Sequence, residues 1–193
     1  MNITALFRDF HQGFPLRAIA FFDTLDEAHW RTRPQPAVNS LAWLVWHMAR
    51  VEDAGVNRLV ANRPQVLDEG NWGELMQVPI RHHGSGMTNQ EVTDLSNRID
   101  LQSLRAYHTA VRARTLEVVE TLLPEQLDEV NELPYLRQVL FDEGVLNPNH
   151  DWGARVPYQD SKGHLLIHFG VTHNYGHFYE AFTVCSLMGI SFW

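Results

Sequence analysis

The sequence predicts an all-α protein, a four-helix bundle with long crossover connections, folded as a single domain over residues 1–193. Four long segments carry apolar residues at helical spacing, and no segment sustains the alternation typical of strands. Two long irregular stretches, 64–86 and 134–163, separate the second, third and fourth helices, so consecutive helices need not be simple up-and-down neighbours. A length of 193 residues and a hydrophobic fraction of 45% suit one continuous core.

The first two helices are predicted from their apolar positions and their breaks. The first covers 2–25, where Pro15 is expected to kink or divide it. The second begins near Asn39 or Ser40, both good N-cap residues, and extends to about residue 61, ahead of Pro64.

The later helices have clearer end signals. The third is predicted over 100–123, with the aspartate at its first position acting as N-cap. A short helix should precede it, because Thr88 and Glu91 form a capping box. The fourth is predicted over 164–188 and ends at Gly189.

The composition of the chain argues against two classes of binding partner. Fifteen basic and 23 acidic residues give a formal charge of -8, which disfavours nucleic acid and anionic membranes. The single cysteine, Cys185, excludes an internal disulfide, and a lone thiol fits a cytoplasmic location. The beginning of the chain lacks the pattern of a signal peptide, and no apolar stretch is long enough to span a membrane.

The fourth helix carries two pairs of histidines. His173 and His177 are four residues apart, a turn of about 400°, so both imidazoles project from one face and could bind one cation. Glu180 lies on the same stripe and could orient a ligand histidine or coordinate the metal itself. A second pair, His164 and His168, precedes them. The step from His168 to His173 rotates by about 140°, so the two pairs cannot both face one metal.

His47 lies on the second helix in an otherwise apolar setting, SLAWLVWHMARVED. Burying a lone histidine costs free energy unless its nitrogens are satisfied. Metal ligation would satisfy them, and so would a hydrogen bond to a carbonyl or carboxylate. Trp43, one turn earlier, could wall a pocket, whereas Glu52 points about 140° away from His47 and is predicted to be solvated.

The remaining histidines carry weaker signals. His108 on the third helix could face the interior or solvent, and whether it or His168 contributes to a site stays open. His82 and His83, in the first long crossover, are predicted to be solvated. Three others have no distinguishing context: His11, His29 and His150.

SLAWLVWHMARVED and the later HFGVTHNYGHFYEA resemble the two signature segments of the DinB-like (DinB/YfiT-like) metalloenzyme superfamily. The resemblance implies a four-helix bundle in which His47, His173 and His177 hold a divalent transition metal such as zinc, nickel or iron. It also implies a homodimer, which the aromatic tail Phe192-Trp193 would suit. Many members follow the last histidine with Arg-Gly-Gln, whereas this chain has Phe-Tyr-Glu at 178–180, which leaves the substrate open.

Three neutral histidines leave a divalent ion with open positions, as expected of a catalytic site. The resemblance implies a thiol-dependent S-transferase that uses a low-molecular-weight thiol and a small-molecule substrate. From its place on the histidine stripe, Glu180 is the candidate general base or orienting group. Two alternatives stay open. One is a metal-dependent hydrolase that uses bound water, and the other is a non-enzymatic metal- or ligand-binding protein.

Overall fold

The computed structural model describes residues 3–152 and 156–192, so Asn2 and Trp193 lie outside the described residues. Within them the regular structure is helical apart from an isolated bridge between Val130 and Ser161, and the predicted all-α class is confirmed. No helix in these two ranges is both long and apolar enough to cross a membrane.

The α-helices are α1 (Ile3–Phe22), α2 (Glu27–Arg31), α3 (Leu41–Glu52), α4 (Val66–Glu69), α5 (Trp72–Leu75), α6 (Asn89–Arg98), α7 (Leu101–Thr121), α8 (Leu133–Arg137), α9 (Lys162–Ile167) and α10 (His173–Leu187).

Wider π-helical segments extend three of these helices, and a 3₁₀ turn follows α7. The π-helical segment after α3 makes the second predicted helix continuous, and another joins α9 to α10 within the fourth predicted helix. The π-helical segments are Asp53–Val60, Gln138–Asp142 and His168–Thr172, and the 3₁₀ turn is Pro124–Asp128.

The predicted caps define three helix starts. The side-chain oxygens of Ser40 and Asp100 accept hydrogen bonds, at 3.0 Å and 2.7 Å, from the backbone N–H three residues further on. Thr88 and Glu91 form the reciprocal capping box. These short-range bonds satisfy backbone donors that the first helical turn leaves unpaired. Pro15 lies inside α1 and does not divide it.

The core is built around α3, whose twelve residues are all buried. It packs against α7 and α10, while α1 packs against both of these helices from the outside. Such complete burial leaves the polar residues of α3 in need of internal partners. The prediction that Glu52 is solvated is wrong, because its residue surface is 1% exposed.

The first crossover folds down onto α3. Gly84 has a φ of +93°, and a Cβ there would lie 2.5 Å from the ring of Trp46, so the close approach requires glycine. The backbone N–H of His83 donates to the carbonyl of Val145 at 3.0 Å, which joins the two crossovers. His83 is therefore buried, and the prediction that it is solvated is wrong.

The aromatic tail lies against its own chain. The ring of Phe192 packs on Phe21 and Phe182, with centroid distances of 4.9 Å and 4.4 Å. This contact accounts for one of the two tail aromatics without a partner molecule, and the homodimer stays a prediction.

Candidate metal centre

Packing of α3 against α10 brings His47, His173 and His177 together. One ligand nitrogen from each lies within 4.8 Å of the other two. The three ring centroids are 4.6 Å to 5.1 Å apart. The Trp43 ring stacks on His47 at 4.7 Å and closes one side of the group. Across residues 3–152 and 156–192, no other group of three or more histidine, cysteine or carboxylate side chains converges this closely.

Hydrogen bonds orient two of the three rings. His47 donates from Nδ1 to the backbone carbonyl of His83, and His177 donates from Nδ1 to Glu180 Oε2 at 2.8 Å. With its proton on Nδ1, each ring keeps the Nε2 lone pair for a cation. Asn39 in turn donates to Glu180 Oε1 at 2.9 Å.

The third ring has a different environment. Nδ1 of His173 is buried and has no hydrogen-bond partner in the described part of the chain. Burial, followed by the charges of His47, His177 and His168, lowers the pKa of His173 to about 2. Burial and the charge of His177 lower the pKa of His47 to about 3. Neutral imidazoles and an unsatisfied buried nitrogen form a donor set that fits a divalent transition metal.

His168 lies beside this group without joining it. The π-helical segment His168–Thr172 inserts a wider turn between the two histidine pairs, and the rings of His168 and His173 are 5.9 Å apart. The prediction assumed an ideal α-helix, in which the two side chains would be separated by a larger angle around the helix axis. His168 also lines an open groove of about 360 Å³ with Tyr158 and His164.

A buried ionic network lies deeper in the bundle. Glu52 accepts from His11 Nε2 at 2.7 Å and from Asn174 Nδ2 at 2.6 Å, and Arg112 Nη1 lies 3.8 Å from its Oε2. Burial would raise the pKa of Glu52, but His11 and Arg112 outweigh it and hold the pKa at about 2. His108 is buried nearby. Spacing along the sequence gave no signal for this network, because four different helices supply its members.

As the pH falls, the free energy of unfolding should begin to decrease at a pH well above the range in which carboxylates titrate. The pKa is lowered, by burial above all, to about 2 for His173 and about 3 for His47, His83 and His108. Unfolded histidine has a pKa of about 6.5, so the stability from the neutral rings is complete above that pH and is lost as the pH falls toward the folded values. Each ring contributes a slope of up to about 1.4 kcal/mol per pH unit.

Urea unfolding of the metal-free protein between roughly pH 7.5 and 5 measures this slope. A His108→Leu variant should show a shallower acid limb, because one buried neutral imidazole is removed. His164→Gln is the matched control, since His164 is exposed. A slope in His108→Leu as steep as in the parent would contradict the expectation.

The family of this chain is known from its similarity to a protein family profile. The sequence profile of the DinB superfamily matches residues 16–180, a span that includes His47, His173 and His177. The chain belongs to the DinB superfamily. The resemblance carried by the two signature segments is thereby confirmed.

A solved structure shares the DinB fold of this chain. It is described as the crystal structure of the conserved protein of locus from Enterococcus faecalis, with a TM-score of 0.71 and 18% sequence identity. The similarity covers 98% of this DinB chain and 99% of the other. At this identity the similarity supports the fold alone. Among curated proteins, none matches the chain.

Proposed function

We propose that this DinB protein binds a divalent transition metal through His47, His173 and His177 and catalyses a thiol-dependent S-transfer to a small molecule. The observation that carries the proposal is the convergence of three imidazoles from two helices within 4.8 Å. Three protein ligands leave positions for exogenous ligands, as in catalytic centres rather than closed structural ones.

The nucleophilic thiol would come from outside the chain. Cys185 is the single cysteine, it is buried, and burial raises its pKa to about 11. Such a thiol is almost wholly protonated at neutral pH and is inaccessible to a substrate. A metal held by three histidines would lower the pKa of an incoming low-molecular-weight thiol and favour its thiolate.

Glu180 would serve this centre as a positioning residue for His177. Burial would raise its pKa, but the hydrogen bonds from His177 and Asn39 outweigh burial and leave the pKa below its ordinary value. Both carboxylate oxygens already accept a hydrogen bond. A carboxylate engaged in this way is suited to orienting a ligand histidine rather than to taking a proton from water. With Glu180 engaged in this way, deprotonation of a bound thiol would depend on the metal itself, which lowers the pKa of its ligand without a separate strong base.

Conjugation assays with metal-loaded protein test the proposal. Glutathione, cysteine and coenzyme A would each be offered with the electrophile 1-chloro-2,4-dinitrobenzene, and thioether formation would be followed by absorbance. We expect at least one thiol to react roughly 100-fold faster than with metal-free protein or with a His173→Ala variant.

A parallel assay with p-nitrophenyl acetate and no thiol separates the alternatives. Metal-dependent ester hydrolysis without thiol conjugation would replace the S-transferase proposal with a hydrolase. Metal binding with neither activity would count against S-transfer and favour a binding protein.

A further inference from the structure

His83 contacts the centre through its backbone. Its carbonyl accepts the Nδ1–H of His47, so this loop residue fixes the orientation of a candidate ligand on α3. The loop can reach that depth because Gly84, the next residue, packs directly against the ring of Trp46. His83 is 4% exposed, although it belongs to an irregular crossover.

The side chain of His83 has an unsatisfied donor. Its Nδ1 accepts a hydrogen bond from the backbone N–H of Ser85 at 3.3 Å. A ring nitrogen that accepts from an amide carries no proton, so the proton of the neutral ring is on Nε2. That Nε2–H is buried and has no hydrogen-bond partner among residues 3–152 and 156–192. A buried donor without a partner destabilises the fold, so its presence calls for a function.

The ring that carries this donor lies beside the three-histidine group. The ring of His83 meets the ring of His47 edge to face, with a centroid distance of 5.8 Å and an interplanar angle of 76°. On its other side it meets Trp152 at 6.3 Å, also edge to face. Trp152 belongs to the second crossover. The ring of His83 therefore lies between the second crossover and the three-histidine group.

We propose that His83 is a substrate-binding residue of this centre. Its Nε2–H would donate a hydrogen bond to a carbonyl or carboxylate oxygen of the small molecule bound there, while its backbone carbonyl positions His47. The inference rests on the proposed metal-binding function and adds a substrate class to it, namely small molecules that present such an oxygen next to the metal. A neutral N–H donor in a buried site discriminates strongly for an oxygen acceptor, because a ligand without one leaves the donor unpaired.

Cobalt-loaded protein allows a test that does not depend on turnover. Co²⁺ affinity and acetate affinity would be measured from the visible absorption of bound Co²⁺ in the parent, in His83→Leu and in His83→Gln. Leucine removes the donor at similar volume, whereas glutamine keeps an amide N–H at the same reach. We expect Co²⁺ affinity to stay within about threefold in both variants, because the backbone carbonyl that holds His47 is retained.

Acetate should bind roughly tenfold or more weakly in His83→Leu, and glutamine should restore most of the loss. The urea midpoint of metal-free His83→Leu should equal or exceed that of the parent, because an unpaired buried donor has been removed.

Three outcomes would overturn the proposal. Unchanged acetate affinity in His83→Leu would show that the donor does not face the ligand. A drop of 100-fold or so in Co²⁺ affinity, with the fold intact, would make the side chain a metal ligand instead. A clear loss of stability in metal-free His83→Leu would assign it a structural role. Failure of the parent to bind Co²⁺ would instead refute the proposed function on which the inference rests.

Discussion

Replacing His173 with alanine is expected to reduce bound transition metal from roughly one equivalent to below about a tenth of an equivalent. The side chain supplies one of three converging nitrogens, and two remaining imidazoles hold a divalent ion far more weakly. The fold should survive, because Nδ1 of His173 makes no hydrogen bond within the described residues and its removal leaves no donor unpaired. Elemental analysis of protein prepared without a histidine tag measures the loss, and circular dichroism checks the fold.

Two matched variants make this result specific. His164→Ala removes an exposed histidine from α9 and should leave metal content unchanged. Glu180→Gln should weaken metal affinity by roughly 10- to 100-fold without abolishing it, because the group that orients His177 loses its charge and keeps its shape. Less than about half an equivalent of metal in the parent, with unchanged stability in His173→Ala, would contradict the metal site.

Replacing Glu52 with alanine is expected to lower the free energy of unfolding by about 3–5 kcal/mol. The carboxylate is 1% exposed and accepts from both His11 and Asn174, and it faces the guanidinium of Arg112. Its removal leaves a buried cation and two buried donors without their partner, which costs more than the ion pair itself contributes. Urea unfolding followed by tryptophan fluorescence measures the change.

Glu52→Gln is the informative companion if the alanine variant does not fold. Glutamine keeps the shape and one acceptor oxygen, so it should lose less stability than alanine while leaving Arg112 without its counter-charge. A stability loss below about 1 kcal/mol in Glu52→Ala would show that water replaces the carboxylate at little cost and would overturn the expectation.

Local features of the chain were predictable because they depend on neighbours within one helical turn. The caps at Ser40, Thr88 and Asp100 are contacts over three residues, and the structure has each of them. The spacing of His173 and His177 likewise places both rings on one face of α10, whatever lies opposite. The all-α class follows from apolar periodicity by the same reasoning.

Contacts between segments far apart in the sequence were harder to predict. Spacing alone could not pair His47 with His173 and His177, because the pairing depends on how α3 packs against α10, and the resemblance to the DinB family supplied that link. The burial of Glu52 was missed because the stripe on its own helix says nothing about α1, α7 and α10, which supply its partners His11, Arg112 and Asn174.

The sequence by itself therefore determined the helices, their caps and the donor types of the candidate site, because periodicity and short-range hydrogen bonds encode them. The tertiary structure alone decided that a loop residue, His83, holds His47, since that bond requires a crossover to fold down onto α3. It also decided the distance between His168 and His173, because the π-helical turn between them departs from the ideal helix that a sequence argument assumes. Packing sets both features, and the burial it imposes lowers the pKa of His47 and of His173, so these two candidate ligands are neutral.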